Sequence, residues 1–136
     1  MYLEQLNSIM LEEYSALDEL FKSLCEQFNY ITKKNVFALD AVREKIENCA
    51  RSVAKCEVER RKLVNGKSMT ALILESDNEV LKENFENIQN LIHKLNLQKD
   101  TNEVLIRQGL NYTTQMLNVL NPNRKPRTYN SYGRRK

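Results

Sequence analysis

An apolar heptad repeat near the start of the chain constrains the fold more than any other feature of the sequence. Large apolar side chains recur every seven residues over more than four repeats, namely Leu3, Met10, Leu17, Leu24 and Ile31. A repeat of this length is typical of helices that pack lengthwise against their neighbours at shallow angles. At roughly 1.5 Å per residue, a helix over residues 2–33 would be about 45–50 Å long. The repeat therefore predicts an elongated helical bundle.

A second helix is predicted from Val36 to Val64, where apolar residues again recur at steps of three and four. Asn35 precedes it as a candidate N-cap, and Asn65-Gly66 follows it as a stop signal. Because the turn between the first two helices is so short, we expect them to form an antiparallel hairpin.

The three cysteines are predicted to be reduced core thiols. They are odd in number and widely spaced, and no CxxC motif is present. Cys49 and Cys56 lie seven residues apart on the apolar stripe of the second helix, where a free cysteine behaves as a small hydrophobic side chain.

A third long helix is predicted between residues 80 and 121. A single helical turn capped by Thr70 should come before it, Ser76 or Asp77 should cap its start, and Pro122 forbids its continuation. Its first half has one narrow apolar stripe, made of Leu81, Phe85, Ile88, Ile92 and Leu95. The polar segment 98–102 follows and leaves open whether the helix is continuous or broken near residue 100.

The second half of this helix is apolar over a much wider arc. At about 100° per residue, its apolar residues spread over more than half of the circumference, whereas packing within a bundle needs a stripe only slightly wider than about 100°. The excess has two interpretations, which are burial on two sides within the chain and a surface for a partner. For the second, we expect the partner, or client, to contact Leu105, Ile106, Leu110, Met116, Leu117 and Leu120.

Charge is unevenly distributed along the chain. Six of the 21 basic residues and none of the 18 acidic residues follow residue 120, so the body has three more acids than bases and the tail is basic. We expect residues 1–121 to form the helical domain and residues 122–136 to form a disordered basic tail. A weak nucleic-acid-binding tail is one alternative function.

The sequence offers little for catalysis. His93 is the only histidine, and no nucleophile carries the local signature of a catalytic site, so we predict that the protein is not an enzyme and uses no metal or cofactor. We also find neither a signal peptide nor a stretch of about 20 apolar residues, as a membrane span requires. A cytoplasmic protein without membrane insertion or a small-molecule substrate is expected.

The order and spacing of several segments resemble one family over nearly the whole chain. The segments are Glu26 to Ile31, Asn35-Val36-Phe37-Ala38-Leu39, Lys45, Glu59-Arg60-Arg61-Lys62-Leu63, Asn65-Gly66, Leu95-Asn96, Asn102 and Thr128-Tyr129-Asn130-Ser131-Tyr132-Gly133-Arg134. They are similar to the FlgN-type flagellar type III export chaperones, and the tyrosine and glycine residues of the tail are the most telling part.

This resemblance implies a function and two partners. Such chaperones bind the C-terminal helical segments of the hook–filament junction proteins, prevent their premature self-association and deliver them to the cytoplasmic domain of the export gate. A tail tyrosine makes the gate contact, and Tyr129 is the matching position, with Tyr132 close by. The alternative from another class is a structural coiled-coil or adaptor protein, whose surplus apolar face closes a homodimer.

Overall fold

The computed structural model describes residues 2–120, apart from the side chains of residues 110–114. This part of the chain contains four α-helices and no strand: α1 (Tyr2–Thr32), α2 (Val36–Val64), α3 (Met69–Ser76) and α4 (Glu79–Leu120). The predicted all-helical fold with three long helices is confirmed. The described residues fall into two units, one that ends at Asn102 and one that begins at Glu103. The predicted boundary at residue 121 stays a prediction.

Local capping determines the ends of α2, as the sequence predicted. The side-chain oxygen of Asn35 accepts a hydrogen bond of 3.2 Å from the backbone N–H of Ala38, which satisfies one of the free donors at the helix start. At the other end, Asn65 and Gly66 adopt left-handed conformations with φ of 50° and 84°, and this ends the helix.

The caps around α3 differ from the prediction. Ser68, rather than Thr70, caps α3, because its backbone is extended and its Oγ accepts a 3.1 Å bond from the N–H of Ala71. Asp77 has a left-handed backbone and ends α3, so it is not the N-cap of the next helix. The cap of α4 is instead Asn78, whose Oδ1 accepts a 3.0 Å bond from the N–H of Leu81.

Polar contacts show that α1 and α2 are antiparallel. Lys45 lies opposite Glu26, with 2.7 Å between Nζ and Oε1, whereas Arg60 lies opposite Glu13, with 3.2 Å between Nε and Oε1. Later residues of α2 thus face earlier residues of α1. The predicted hairpin is correct.

In the first unit, α4 runs parallel to α1. The Nδ2 of Asn84 donates to the Oδ1 of Asn7 at 3.1 Å, and 18 residues further along α4 the Nδ2 of Asn102 donates to the carbonyl oxygen of Leu24 at 2.8 Å. Helices α1 and α4 therefore run in the same direction, and α2 runs antiparallel to α1.

The core of the first unit is formed mainly by the apolar stripes of α1 and α4, with two residues from α3 and one from α2. Its buried members are Leu6, Met10, Leu17, Leu24, Val64, Met69, Leu72, Leu81, Ile88, Leu91 and Leu95. One member of the predicted α4 stripe was wrong. Leu91 is only 6% exposed and belongs to the core, whereas Ile92 is 40% exposed.

The second helix is covered less completely than α1. Val42 and Val64 are its only buried residues, and the rest of its apolar stripe is half-buried or exposed. All three cysteines are free, but they are half-buried, so they are less deeply buried than the predicted core thiols. Cys49 and Cys56 line an open groove with Ser52 of α2 and Ala16 of α1, and the described residues that line it all belong to these two helices.

Candidate partner-binding site

The polar segment 98–102 does not interrupt α4. The helix is continuous from Glu79 to Leu120, which answers the question that the sequence left open. Asn102 continues the buried stripe, since it follows Ile88 and Leu95 at steps of seven and is itself 1% exposed. What the sequence presents as an interruption is a polar position in the interface with α1.

The side chain of Asn102 is fully engaged there. Its Nδ2 donates to the carbonyl oxygen of Leu24 at 2.8 Å and to the Oε1 of Gln27 at 2.9 Å. Its Oδ1 accepts from the Nε2 of Gln98 at 3.0 Å. A buried amide stabilises an interface only when such bonds are made, because an unsatisfied polar group costs about 1–3 kcal/mol.

The second unit begins directly after this residue, and the exposure of apolar side chains changes. In the packed part of α4, Leu81 is 0% and Leu95 is 7% exposed. From residue 103 onward, no described side chain is buried. The exposed large apolar residues there are Val104, Ile106, Met116, Leu117, Val119 and Leu120, with exposures from 37% to 74%.

The structure thus locates most of the six residues predicted for the partner surface. Ile106, Met116, Leu117 and Leu120 are exposed, and Leu105 is half-buried. Leu110 lies in the helix, but its side chain is outside the described residues. At about 100° per residue, the six positions fall within an arc of roughly 140° on a straight helix. They share one broad face.

Exposed apolar residues also occur in the first unit, but they are scattered. Phe37 begins α2, Leu74 lies on α3, and Leu11 and Leu97 lie on different long helices. Single exposed apolar side chains are normal on a protein surface, whereas a continuous patch marks an interaction site. The exposed apolar series on residues 104–120, whose members lie on one helix, is therefore the stronger candidate for an interaction site.

An ion pair in the lining of a cleft of the first unit joins α1 to α2. The carboxylate of Glu13 is 6% exposed and accepts a bond from Arg60, whose side chain is 20% exposed. Burial raises the pKa of Glu13, and the neighbouring Arg60 counteracts this in part. Apolar side chains of Phe85 and Ile92 also line the cleft.

The interface position of Glu13 was not predicted from the sequence. A signal was present, because Glu13 lies between Met10 and Leu17 at steps of three and four on the heptad stripe. For Asn102 the signal was its spacing of seven residues from Leu95, which extends the apolar stripe of α4 to this polar position.

Other kinds of site receive no support among the described residues. No group of three His, Cys, Asp or Glu side chains in residues 2–120 could hold a metal ion. None of the described helices is both long and apolar enough to span a membrane. The two tail tyrosines predicted for the export gate, Tyr129 and Tyr132, lie outside the described residues.

The fold and its exposed apolar series are those of an all-helical protein with a candidate surface for a partner. The model of the family described as FlgN protein matches the chain from residue 1 to residue 136. The chain therefore belongs to the FlgN family, the non-enzymatic flagellar chaperones of hook–filament junction proteins, which confirms the resemblance seen in the sequence. Comparison with curated proteins and with solved structures gives no match.

Proposed function

We propose that the protein works in the cytoplasm, where it binds the C-terminal helical segments of hook–filament junction proteins and delivers them to the export gate. Family membership supports the role as an export chaperone for junction proteins. The observation that supports the binding surface is the apolar series of the second unit, where Leu117 and Leu120 are 48% and 68% exposed.

The chemistry of this surface suits an amphipathic helix. An apolar helix face binds a partner helix through anchors spaced three or four residues apart. Met116 and Leu117 have this spacing to Leu120, at steps of four and three, and all three are exposed. Burial of apolar surface stabilises the complex by roughly 25 cal/mol per Å². Ordering of the client offsets part of this, by about 2–5 kcal/mol or more. In such a complex the apolar face of the client helix is covered as well, which would keep client segments from associating with one another.

Paired charge substitutions test the surface. We expect Leu117→Glu/Leu120→Glu to abolish co-purification with the junction protein, because two carboxylates would have to be buried in the complex. Helix content, measured by circular dichroism, should not change, since both side chains are exposed. The matched control is Leu74→Glu/Leu97→Glu, which replaces two exposed leucines of the first unit and should retain the client.

Two results would remove the site from residues 105–120. One is full client capture by the Leu117→Glu/Leu120→Glu protein. The other is a joint loss of capture and helix content, which would show that these leucines support the fold.

We place the contact with the export gate in the tail. We expect Tyr129→Ala to keep the client bound while secretion of the junction protein falls, with Tyr132→Ala as the neighbouring comparison. Unchanged secretion in the Tyr129→Ala strain, with reduced secretion in the Tyr132→Ala strain, would move the contact to Tyr132. If neither substitution lowers secretion, the tail tyrosines do not contact the gate.

A homodimer could cover the same face. Light scattering of the protein alone distinguishes the two cases, because a tight dimer whose mass does not depend on concentration favours a structural coiled-coil protein. Co-expression with the junction proteins then decides whether a client displaces the second copy.

A further inference from the structure

The apolar stripes of α1 and α4 cannot by themselves determine one register. On α4, Leu81, Ile88 and Leu95 recur every seven residues, and α1 repeats its own apolar residues with the same period. If α4 moved by one heptad along α1, most apolar side chains would meet another apolar side chain. Buried area therefore distinguishes poorly between registers separated by seven residues.

The amide of Asn102 breaks this degeneracy. In the observed register its Nδ2 reaches the Oε1 of Gln27 at 2.9 Å. The α1 residue seven positions before Gln27 is Leu20, and the residue seven positions after it is Lys34, which lies beyond the end of the helix. In either shifted register the buried amide would lose its side-chain partner.

A second polar contact, near the start of α4, also favours the observed register, but more weakly. The Nδ2 of Asn84 donates to the Oδ1 of Asn7 at 3.1 Å, and both residues are half-buried. Water can replace this bond more easily than the one at Asn102, which is 1% exposed. A single buried asparagine is known to specify register between packed helices at some cost in stability.

We propose that Asn102 is a positioning residue, whose buried amide fixes the register of α4 against α1 and so fixes how many residues of α4 remain for a partner. In the observed register the first unit ends at Asn102, and 18 residues of α4 follow it. A shift of one heptad would change the number of α4 residues that pack in the first unit by seven. The link to partner binding rests on the proposed function, but the register itself does not.

The register can be measured without any client. Spin labels are attached to the full chain at Gln5→Cys on α1 and Lys94→Cys on α4, both exposed positions, after Cys25→Ser, Cys49→Ala and Cys56→Ala. With Asn102 present, we expect a single distance between the labels. With Asn102→Leu, we expect a second population, displaced along the helix axis by about 10 Å, since seven residues rise 1.5 Å each.

Two further variants complete the test. Gln27→Leu removes the other half of the hydrogen bond and should also produce the second distance, whereas Asn96→Leu is the same substitution as Asn102→Leu at an exposed α4 position and should not. Circular dichroism shows which variants keep their helix content. A single, unshifted distance in a fully helical Asn102→Leu or Gln27→Leu protein overturns the proposal. A shifted register with full client capture would instead reject its link to partner binding.

Discussion

The ion pair between Glu13 and Arg60 should respond very differently to the loss of each partner. The carboxylate is the more deeply buried member, with 6% of the side chain exposed against 20% for Arg60. Removal of Arg60 leaves a buried carboxylate without its cation. Removal of Glu13 leaves a guanidinium that still reaches water.

The burial values set the expected magnitudes. Breaking a buried pair by removing one partner costs about 3–5 kcal/mol. Because Arg60 is 20% exposed and water can enter once it is gone, we expect Arg60→Leu to lower the free energy of unfolding by about 2–3 kcal/mol at pH 7. For Glu13→Leu we expect a change of about 1 kcal/mol or less, since the new leucine joins Met10 and Leu17 and offsets the unpaired cation.

The difference should depend on pH with a definite sign. Burial raises the pKa of Glu13 above its ordinary value, so the folded chain binds this proton more tightly than the unfolded chain. Without Arg60, which counteracts the effect, the pKa of Glu13 should rise further. The Arg60→Leu protein should therefore recover stability as the pH falls from 7 through that raised pKa toward the ordinary value of 4.5.

Urea unfolding at pH 7 and pH 5, followed by circular dichroism, measures these free energies. Arg43→Leu is the control on the same helix, because its pair with Asp40 is 71% and 81% exposed and such pairs contribute little. The reasoning fails if Arg60→Leu costs no more than Glu13→Leu at pH 7. It also fails if the deficit of Arg60→Leu is the same at both pH values.

Three smaller predictions concern packing, capping and thiol reactivity. Leu6→Ala should lower the free energy of unfolding in urea by about 2–5 kcal/mol, because Leu6 is 0% exposed, and a loss below 1 kcal/mol would contradict its place in the core. Ser68→Ala should cost about 1 kcal/mol in the same assay, since the N-cap bond to Ala71 is lost; Thr70→Ala is the control and should cost less. Burial raises the pKa of the Cys25 thiol. In a Cys49→Ala/Cys56→Ala protein, Cys25 should therefore react with iodoacetamide at pH 8 more slowly than the thiol of glutathione does. An equal rate would show a freely accessible thiolate.

Helix bounds were predictable because they depend on local chemistry. The start of α2 follows from the side chain of Asn35, and its end follows from the left-handed backbone at Asn65 and Gly66. Around α3, several residues can cap, and sequence alone did not choose Ser68 over Thr70. That choice depends on which residue takes the extended backbone.

The exact face of α4 was harder to predict for a geometric reason. The paths from Ile88 to Leu95 through Leu91 or through Ile92 both consist of one step of three and one of four. The helix pattern permits either, and packing in the first unit selects Leu91. The wide apolar series after residue 103 could be read from the sequence, because no stripe of ordinary width contains it. The buried role of Asn102 was missed, because a polar residue there reads as a break unless the heptad stripe is extended through Leu95 to it.

The topology also determines the order in which the long helices should come together. Contacts between α1 and α2 join residues 19 and 47 positions apart, whereas those between α1 and α4 join residues 77 and 78 positions apart. Closing the shorter loops costs less entropy, so the α1–α2 hairpin should form in the early folding phase and α4 should dock last. In pulse-labelling hydrogen exchange, amides of α2 should gain protection before those of residues 79–102. A newly synthesised chain would then expose the facing stripe of α1 until α4 has emerged from the ribosome.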